Sequence, residues 1–237
     1  MHIRNVTLAI SLIACTTPPD ATSTAPADTA STRAVMSDAF ESTTPDGPLP
    51  WVAAFTPPEM LTTERMHLEP LAPRHVELDF AALMGSREHL QRTLHWGDWP
   101  RADFTVQENA RDLQRHEREF VAREAYAYTV LSPDRTRCLG CVYLEPLPGG
   151  GERTVGLAYW VIESELAAQL DRHLLENLLP WFAERWPFDE VVLLNHLDNE
   201  RGAELADSLG FARDDQSLPE VSRQQPETQL FVWTPPR

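Results

Sequence analysis

The sequence predicts an α/β chain of the α+β kind: a central mixed, mostly antiparallel twisted sheet flanked by helices, with a disordered N-terminal tail. Three observations predict it. Runs of strand length rich in β-branched and aromatic residues recur at Ala125–Leu131, Cys138–Leu144, Thr154–Ile162, Glu190–Leu197 and Thr228–Trp233. Between them, apolar residues repeat at helical spacing, most clearly at Leu166, Leu170, Leu174, Leu175, Leu178, Leu179 and Phe182. The third is a break in composition. Thr16 to Pro58 is rich in Thr, Ala, Ser, Pro and Asp, and buries too little apolar surface to offset its chain entropy.

The elements follow in order. Glu64–Leu71 alternates Met66 and Leu68 and reads as a first strand. Pro73–Met84 opens on proline and repeats Val76, Phe80, Leu83 and Met84, which makes a first helix. Leu94–Pro100 is a loop carrying two exposed indoles, Trp96 and Trp99. Thr105 and Glu108 form a capping box that opens a charged helix to about Glu124, its Arg and Glu residues on a solvated face. Ser132–Arg137 is rich in turn residues and joins the next two strands as a hairpin. After Pro148–Gly151, the strand Thr154–Ile162 feeds straight into the helix from Leu166, which Pro180 is expected to kink or divide. Glu190–Leu197 is a buried strand, Asn199–Leu209 a short amphipathic helix ending at Gly210, and Thr228–Trp233 the last strand.

The domain is therefore placed at 61–237 and the tail at 16–60. Residues 1–15 have the layout of a short lipoprotein signal: Arg4, an apolar run from Val6 to Ala14, and Leu12-Ile13-Ala14-Cys15 as the lipobox, with Cys15 as membrane anchor. The run is too short to span a bilayer. The rival reading is a later start of translation, such as Met36.

Composition narrows the partners. With 36 acidic against 20 basic side chains and a net charge of -16, the chain lacks the Lys and Arg excess that nucleic-acid phosphates require. No nucleic-acid partner is expected, and both a monomer and a homodimer fit. No metal is expected either: His116-Glu117 lacks the second histidine of a zinc helix. Cys138 and Cys141 lie three apart on a strand, hence on opposite faces, and read as ordinary thiols.

In element order the chain resembles the GNAT acetyltransferases, and two segments carry the resemblance in detail. Tyr159-Trp160-Val161 leading into Leu174-Leu175 is similar to the fourth strand and third helix of that family. Asn199-Glu200-Arg201 through Leu205 to Leu209-Gly210-Phe211 is similar to its N-x-R…L…L-G-F segment. The resemblance implies transfer of an acetyl group from acetyl-CoA to a primary amine of a small molecule or protein N-terminus, with a carboxylate or a water held by it as general base. It also implies that the pantetheine arm lies along the fourth strand and that the pyrophosphate meets backbone amides at the helix start, where the helix dipole favours an anion. That assigns the cofactor to Trp160, Val161, Ile162, Ala167, Ala168, Gln169, Leu170, Arg172 and Asn199. Acetyl-CoA is a cytosolic metabolite, so this reading expects a cytoplasmic chain and stands against the lipoprotein anchor.

The departures fall on the phosphate loop. Where the family pattern Q/R-x-x-G-x-G/A has its first residue and two small ones, this chain has Leu166, Gln169 and Asp171. A carboxylate about 5 Å from a phosphate charge costs about 3 kcal/mol at an effective dielectric of 20, more than the roughly 0.3–2 kcal/mol that a helix terminus returns. Repulsion wins unless Asp171 points away or Arg172 and His173 meet the phosphates. The position of the family's usual tyrosine acid is Ala206. The candidate bases are Glu145 and Glu163, each at a strand end, and His196, which ends its strand beside the expected cleft. Trp96 and Trp99 stand where an acceptor pocket is walled. The alternative is a GNAT-like binding or scaffold domain that has lost CoA.

Overall fold

The computed structural model describes residues 55–214, 218, 221–222 and 226–236. The signal-like segment, Met36 and the tail up to residue 54 lie outside the described residues. Among the described residues, packing already includes Phe55, ahead of the expected boundary: the Phe55 ring sits 5.3 Å from that of Trp186, and the buried Tyr128 hydroxyl donates to the Pro58 carbonyl at 2.7 Å. No helix among the described residues is long and apolar enough to cross a membrane.

One sheet of eight strands is ordered β1 (Leu61–Thr62), β2 (His67–Pro70), β3 (Tyr126–Leu131), β4 (Cys138–Pro146), β5 (Thr154–Val161), β6 (Glu190–His196), β8 (Thr228–Trp233) and β7 (Ala212–Arg213). Within it β5 and β6 run parallel and the other neighbours antiparallel. The helices are α1 (Val76–Gly85), α2 (Arg87–Leu94), α3 (Val106–Ala122), α4 (Leu170–Arg185) and α5 (Glu200–Ser208). The capping box holds as read: the Thr105 hydroxyl accepts from Glu108 N–H at 3.2 Å, and the Glu108 carboxylate accepts from Thr105 N–H at 2.8 Å. The core joins α4 to the sheet through aromatics, with Tyr128 set edge-on to Trp181 at 5.4 Å and Trp186 stacked on Phe188 at 5.0 Å.

Four local expectations are corrected. The helix expected from Leu166 starts at Leu170, because Glu163–Glu165 form a 3-10 turn and Gln169 adopts a left-handed conformation (φ 56°) that a right-handed helix cannot include. Pro180 does not divide α4. Pro180 and Glu176 both sit on its exposed face, where water can solvate the carbonyl that Pro180 leaves without a donor, while Leu174, Leu175, Leu178 and Phe182 stay fully buried. Trp99 is buried and Trp96 half-buried rather than exposed.

The fourth concerns the cysteines. Val130 pairs with Gly140 but Leu131 with Cys138, so Leu139 is an extra residue in β4. The bulge turns Cys138 onto the face of Cys141, and both thiols approach the same carboxylate oxygen of Asp79, at 3.9 and 3.4 Å. Burial pushes Asp79 up to about 6, against the hydrogen bonds it accepts from Asn109 and the thiols.

Candidate active site

The parallel pairing of β5 and β6 ends at Leu157 opposite Leu193. Each strand keeps its outer neighbour beyond that point: β5 pairs with β4 as far as Val161 opposite Gly140, and β6 pairs with β8 as far as His196 opposite Thr228. The two strands therefore separate, and among the described residues the inner backbone edge of β5 from Ala158 onward has no strand partner. A cleft of about 100 Å³ fills the gap. Ala158, Tyr159, Trp160 and Val161 line one wall and Leu194, Asn195 and His196 the other; His89, Trp96, Leu166, Asp171, Asn199 and Arg201 complete it.

The corner below the cleft is where the anion was expected. Asp171 is nearly fully buried, and its carboxylate is held by Arg201 from α5, Nε to Oδ2 at 2.6 Å and Nη2 to Oδ1 at 2.8 Å. Arg201 also donates to the Leu166 carbonyl at 3.2 Å. The fork geometry is the strong form of a charge-assisted hydrogen bond. Asp171 thus meets a guanidinium instead of presenting a bare charge, which removes the long-range repulsion expected from the sequence.

The second wall is set by an asparagine pair. Asn199 caps α5 by accepting Gly202 N–H at 3.0 Å, and its Nδ2 donates to Asn195 Oδ1 at 2.8 Å. Asn195 in turn donates to the carbonyls of Asn199 and His196 at 2.9 and 3.0 Å. A Cβ on Gly202 would stand 2.1 Å from Asn195 Oδ1, so the close approach of helix to strand requires glycine there.

The other expected site residues are placed as follows. Trp160 is buried and its indole N–H donates to the Tyr143 hydroxyl at 3.2 Å. Val161 and Ile162 are buried, Leu170 is buried, and Ala167, Ala168 and Gln169 are exposed in the turn ahead of α4. The Ala168 carbonyl accepts from Arg65 at 2.8 Å. Arg172 points to Ser208 (3.0 Å) and Glu176 (3.5 Å), and His173 to the Thr63 hydroxyl (2.9 Å). Of the three candidate bases, His196 alone lines the cleft. Glu163 is exposed and pairs with Arg92 at 3.2 Å. Glu145 lies opposite Gly156, where β5 and β6 are still paired, and is half-buried. Burial pushes it up to about 7, with Glu119 adding and Arg115 opposing. Trp96 lines the cleft, while Trp99 lies behind it with ring centroids 5.4 Å apart.

One cleft residue, His89, carries no signal in the sequence. His89 lies on α2, whose eight residues were not read as a helix; burial lowers its pKa, with Arg92 and Arg201 adding and Glu163 and Asp171 opposing. Arg201 was legible as part of the Asn199 segment, but its partner Asp171 is thirty positions away and no local pattern links them. Tyr159 lines the cleft half-buried, its hydroxyl pushed up by burial.

No protein-family model and no curated protein matches the sequence. Solved structures do match the fold. The ribosomal L7/L12 alpha-N-protein acetyltransferase RimL in complex with coenzyme A aligns with 16% identity and a TM-score of 0.61, over 74% of this chain and 98% of that one. The ribosomal-protein-S5-alanine acetyltransferase of Vibrio fischeri aligns with 12% identity and a TM-score of 0.60, over 74% and 96%. The microcin C7 self-immunity acetyltransferase MccE, in complex with acetyl-CoA and AMP, aligns with 12% identity and a TM-score of 0.59, over 73% and 93%. By sheet order, strand divergence and these alignments, the chain has the GNAT acetyltransferase fold.

Proposed function

We propose that the chain is an acyl-CoA-dependent N-acetyltransferase that moves an acetyl group from acetyl-CoA to a primary amine of a small molecule or protein N-terminus. The observation that carries this reading is the separation of β5 from β6 after Leu157 and Leu193. It leaves backbone donors and acceptors from Ala158 to Val161 along a cleft, the surface on which an extended arm containing amides can add as a strand. The aligned structures in complex with coenzyme A or acetyl-CoA support it. A cytoplasmic location follows from the supply of that cosubstrate.

In this reading a neutral amine attacks the thioester carbonyl, and the nitrogen's proton passes to His196 at the cleft wall as the carbon–sulfur bond breaks. Trp96 supplies an aromatic wall for the acceptor. Ala206 offers no hydroxyl, so the departing thiolate takes its proton from water. Arg201, half-exposed beside the corner, is a cation available to a diphosphate there, with the amides of Ala167 and Ala168 beside it; the Gln169 N–H already donates to the Leu166 carbonyl at 3.0 Å.

One observation favours a second reading, a binding domain without CoA: the Asp171–Arg201 pair spans from α4 to α5 across that corner, and Gln169 puts a side chain where the family pattern has glycine. Calorimetric titration with acetyl-CoA separates the two. One-to-one binding with a rise in melting temperature supports the transferase; no heat and no stabilisation at millimolar ligand leaves the binding domain.

A further inference from the structure

We infer that His95, His196 and Asp198 form a site for a divalent first-row metal ion, Zn²⁺ by its donor set, at the mouth of the cleft. The ligand atoms of the three side chains all lie within 4.8 Å of one another. His95 is the residue after α2 and is held in the left-handed region (φ 52°), His196 ends β6, and Asp198 lies in the turn before α5. Asp198 Oδ2 stands 3.8 Å from His95 Nε2 and 3.7 Å from His196 Nδ1. Those separations are too long for hydrogen bonds. They are near the spacing of two ligands on one ion, since metal–ligand distances of about 2.0–2.1 Å put tetrahedral neighbours about 3.4 Å apart.

The protonation pattern fits a ligand set. The backbone N–H of Asp198 donates to His196 Nδ1 at 3.2 Å, which makes Nδ1 the lone-pair nitrogen and leaves the proton on Nε2; an ion at Nδ1 replaces this hydrogen bond. Nε2 faces Glu227 Oε2 at 3.6 Å. That gap is too long for a hydrogen bond, and closing it as the ring turns gives the N–H-to-carboxylate contact that orients a ligating imidazole. His95 Nε2 is buried and, among the described residues, makes no hydrogen bond. The two imidazoles lie face to face, centroids 3.5 Å apart and 12° from parallel, so their lone pairs lie in separate planes and binding one ion requires each ring to turn about its Cβ–Cγ bond.

Two imidazoles and a carboxylate select Zn²⁺ over Ca²⁺ or Mg²⁺, which take oxygen ligands. Three protein ligands leave a fourth position for water. The ion ties the end of α2 to the end of β6 across the cleft mouth. The site does not depend on the transferase reading; with an ion on Nδ1 and the proton on Nε2, His196 has no lone pair for the amine's proton, so its role as base belongs to the metal-free chain.

The test uses the full chain without an affinity tag, freed of metal by chelation and titrated with Co²⁺, then with Zn²⁺ in competition. One Co²⁺ per chain with the visible bands of tetrahedral cobalt is expected. His95→Ala and Asp198→Asn, which change half-exposed and exposed side chains and leave the apo melting temperature unchanged, each weaken binding at least tenfold; Glu227→Gln weakens it about tenfold and keeps the bands. No binding at tenfold molar excess overturns the inference. So does binding that His95→Ala and Asp198→Asn leave intact, including binding marked by sulfur-to-metal charge transfer from the cysteines.

Discussion

Arg201 on α5 grips Asp171 at the start of α4 through two hydrogen bonds, 2.6 and 2.8 Å long, and so bridges the two helices that flank the cleft. Removing the cation leaves a buried carboxylate without its partner. Arg201→Ala is expected to cost about 1–3 kcal/mol, less than the roughly 3–5 kcal/mol for a fully buried pair because Arg201 is half-exposed and water replaces part of it. The double variant Asp171→Ala with Arg201→Ala should lie closer to wild type than Arg201→Ala alone. Urea denaturation measures both, and an Arg201→Ala protein as stable as wild type contradicts the account.

Gln169 holds a left-handed conformation with its side chain exposed. Glycine relieves about 1 kcal/mol of backbone strain there and gives back about 0.4–1 kcal/mol through a freer unfolded chain. Gln169→Gly is therefore expected to leave stability within about 0.5 kcal/mol while opening the turn to a phosphate group. A loss above 1 kcal/mol on thermal unfolding would mean that the glutamine side chain supports the turn. Tighter acetyl-CoA binding in this variant is expected under the transferase reading.

Gly140 sits beside the bulge in β4, where an added Cβ would stand 2.0 Å from the Trp160 carbonyl oxygen and 3.0 Å from Val161 Cα. Both obstacles are backbone, so relief requires the β4–β5 pairing to open. Gly140→Ala should cost at least about 3 kcal/mol, the upper range for overpacking. Soluble expression with an unchanged denaturation midpoint would refute the assigned register.

Periodicity made most of the fold legible. The hairpin, the strand before α4 and the capped α3 fall where apolar alternation, helical spacing and the Thr105–Glu108 pair put them. What stayed hidden was set by tertiary contacts. Leu166 continues the apolar spacing of α4 but lies in a turn, because a single left-handed residue, Gln169, stops the helix, and nothing in a glutamine announces that. The β4 bulge exists only relative to β3, so counting along one strand put Cys138 and Cys141 on opposite faces. In the site, His196 was legible because a strand end beside a divergence faces the gap. Asp171 was legible as a charge but not as half of a pair, since its partner comes from another helix. His89 was hidden with its short helix, and His95 because its neighbour across the cleft mouth, His196, is far away in sequence.

Glu69 supplies the pH prediction. It is mostly buried, and burial alone would raise its pKa, but hydrogen bonds from His75 (2.8 Å) and Arg74 (2.9 Å) hold it at about 2. A carboxyl lower in the folded than in the unfolded state stabilises fully above the unfolded value of 4.5 and loses that contribution as pH falls toward 2. Buried Asp79, raised to about 6, has the opposite slope between 3.8 and 6, so the comparison is made against Glu69→Gln. The stability difference between wild type and variant is expected to be about 1–3 kcal/mol at pH 6, discounted for the exposed Arg74, and to shrink steadily below pH 4.5. A difference independent of pH would show that the hydrogen bonds act without the charge.

The seating of Phe55 on Trp186 and of the Pro58 carbonyl on Tyr128 gives the root of the N-terminal segment a grip on the middle of the molecule. Tyr128 belongs to β3, and Trp186 follows directly on α4, the helix that floors the cleft. A pull from anything attached ahead of Phe55 is therefore transmitted to that helix and strand before the outermost strands feel it, and trimming the chain back to Leu61 strands a buried phenol and uncovers an indole.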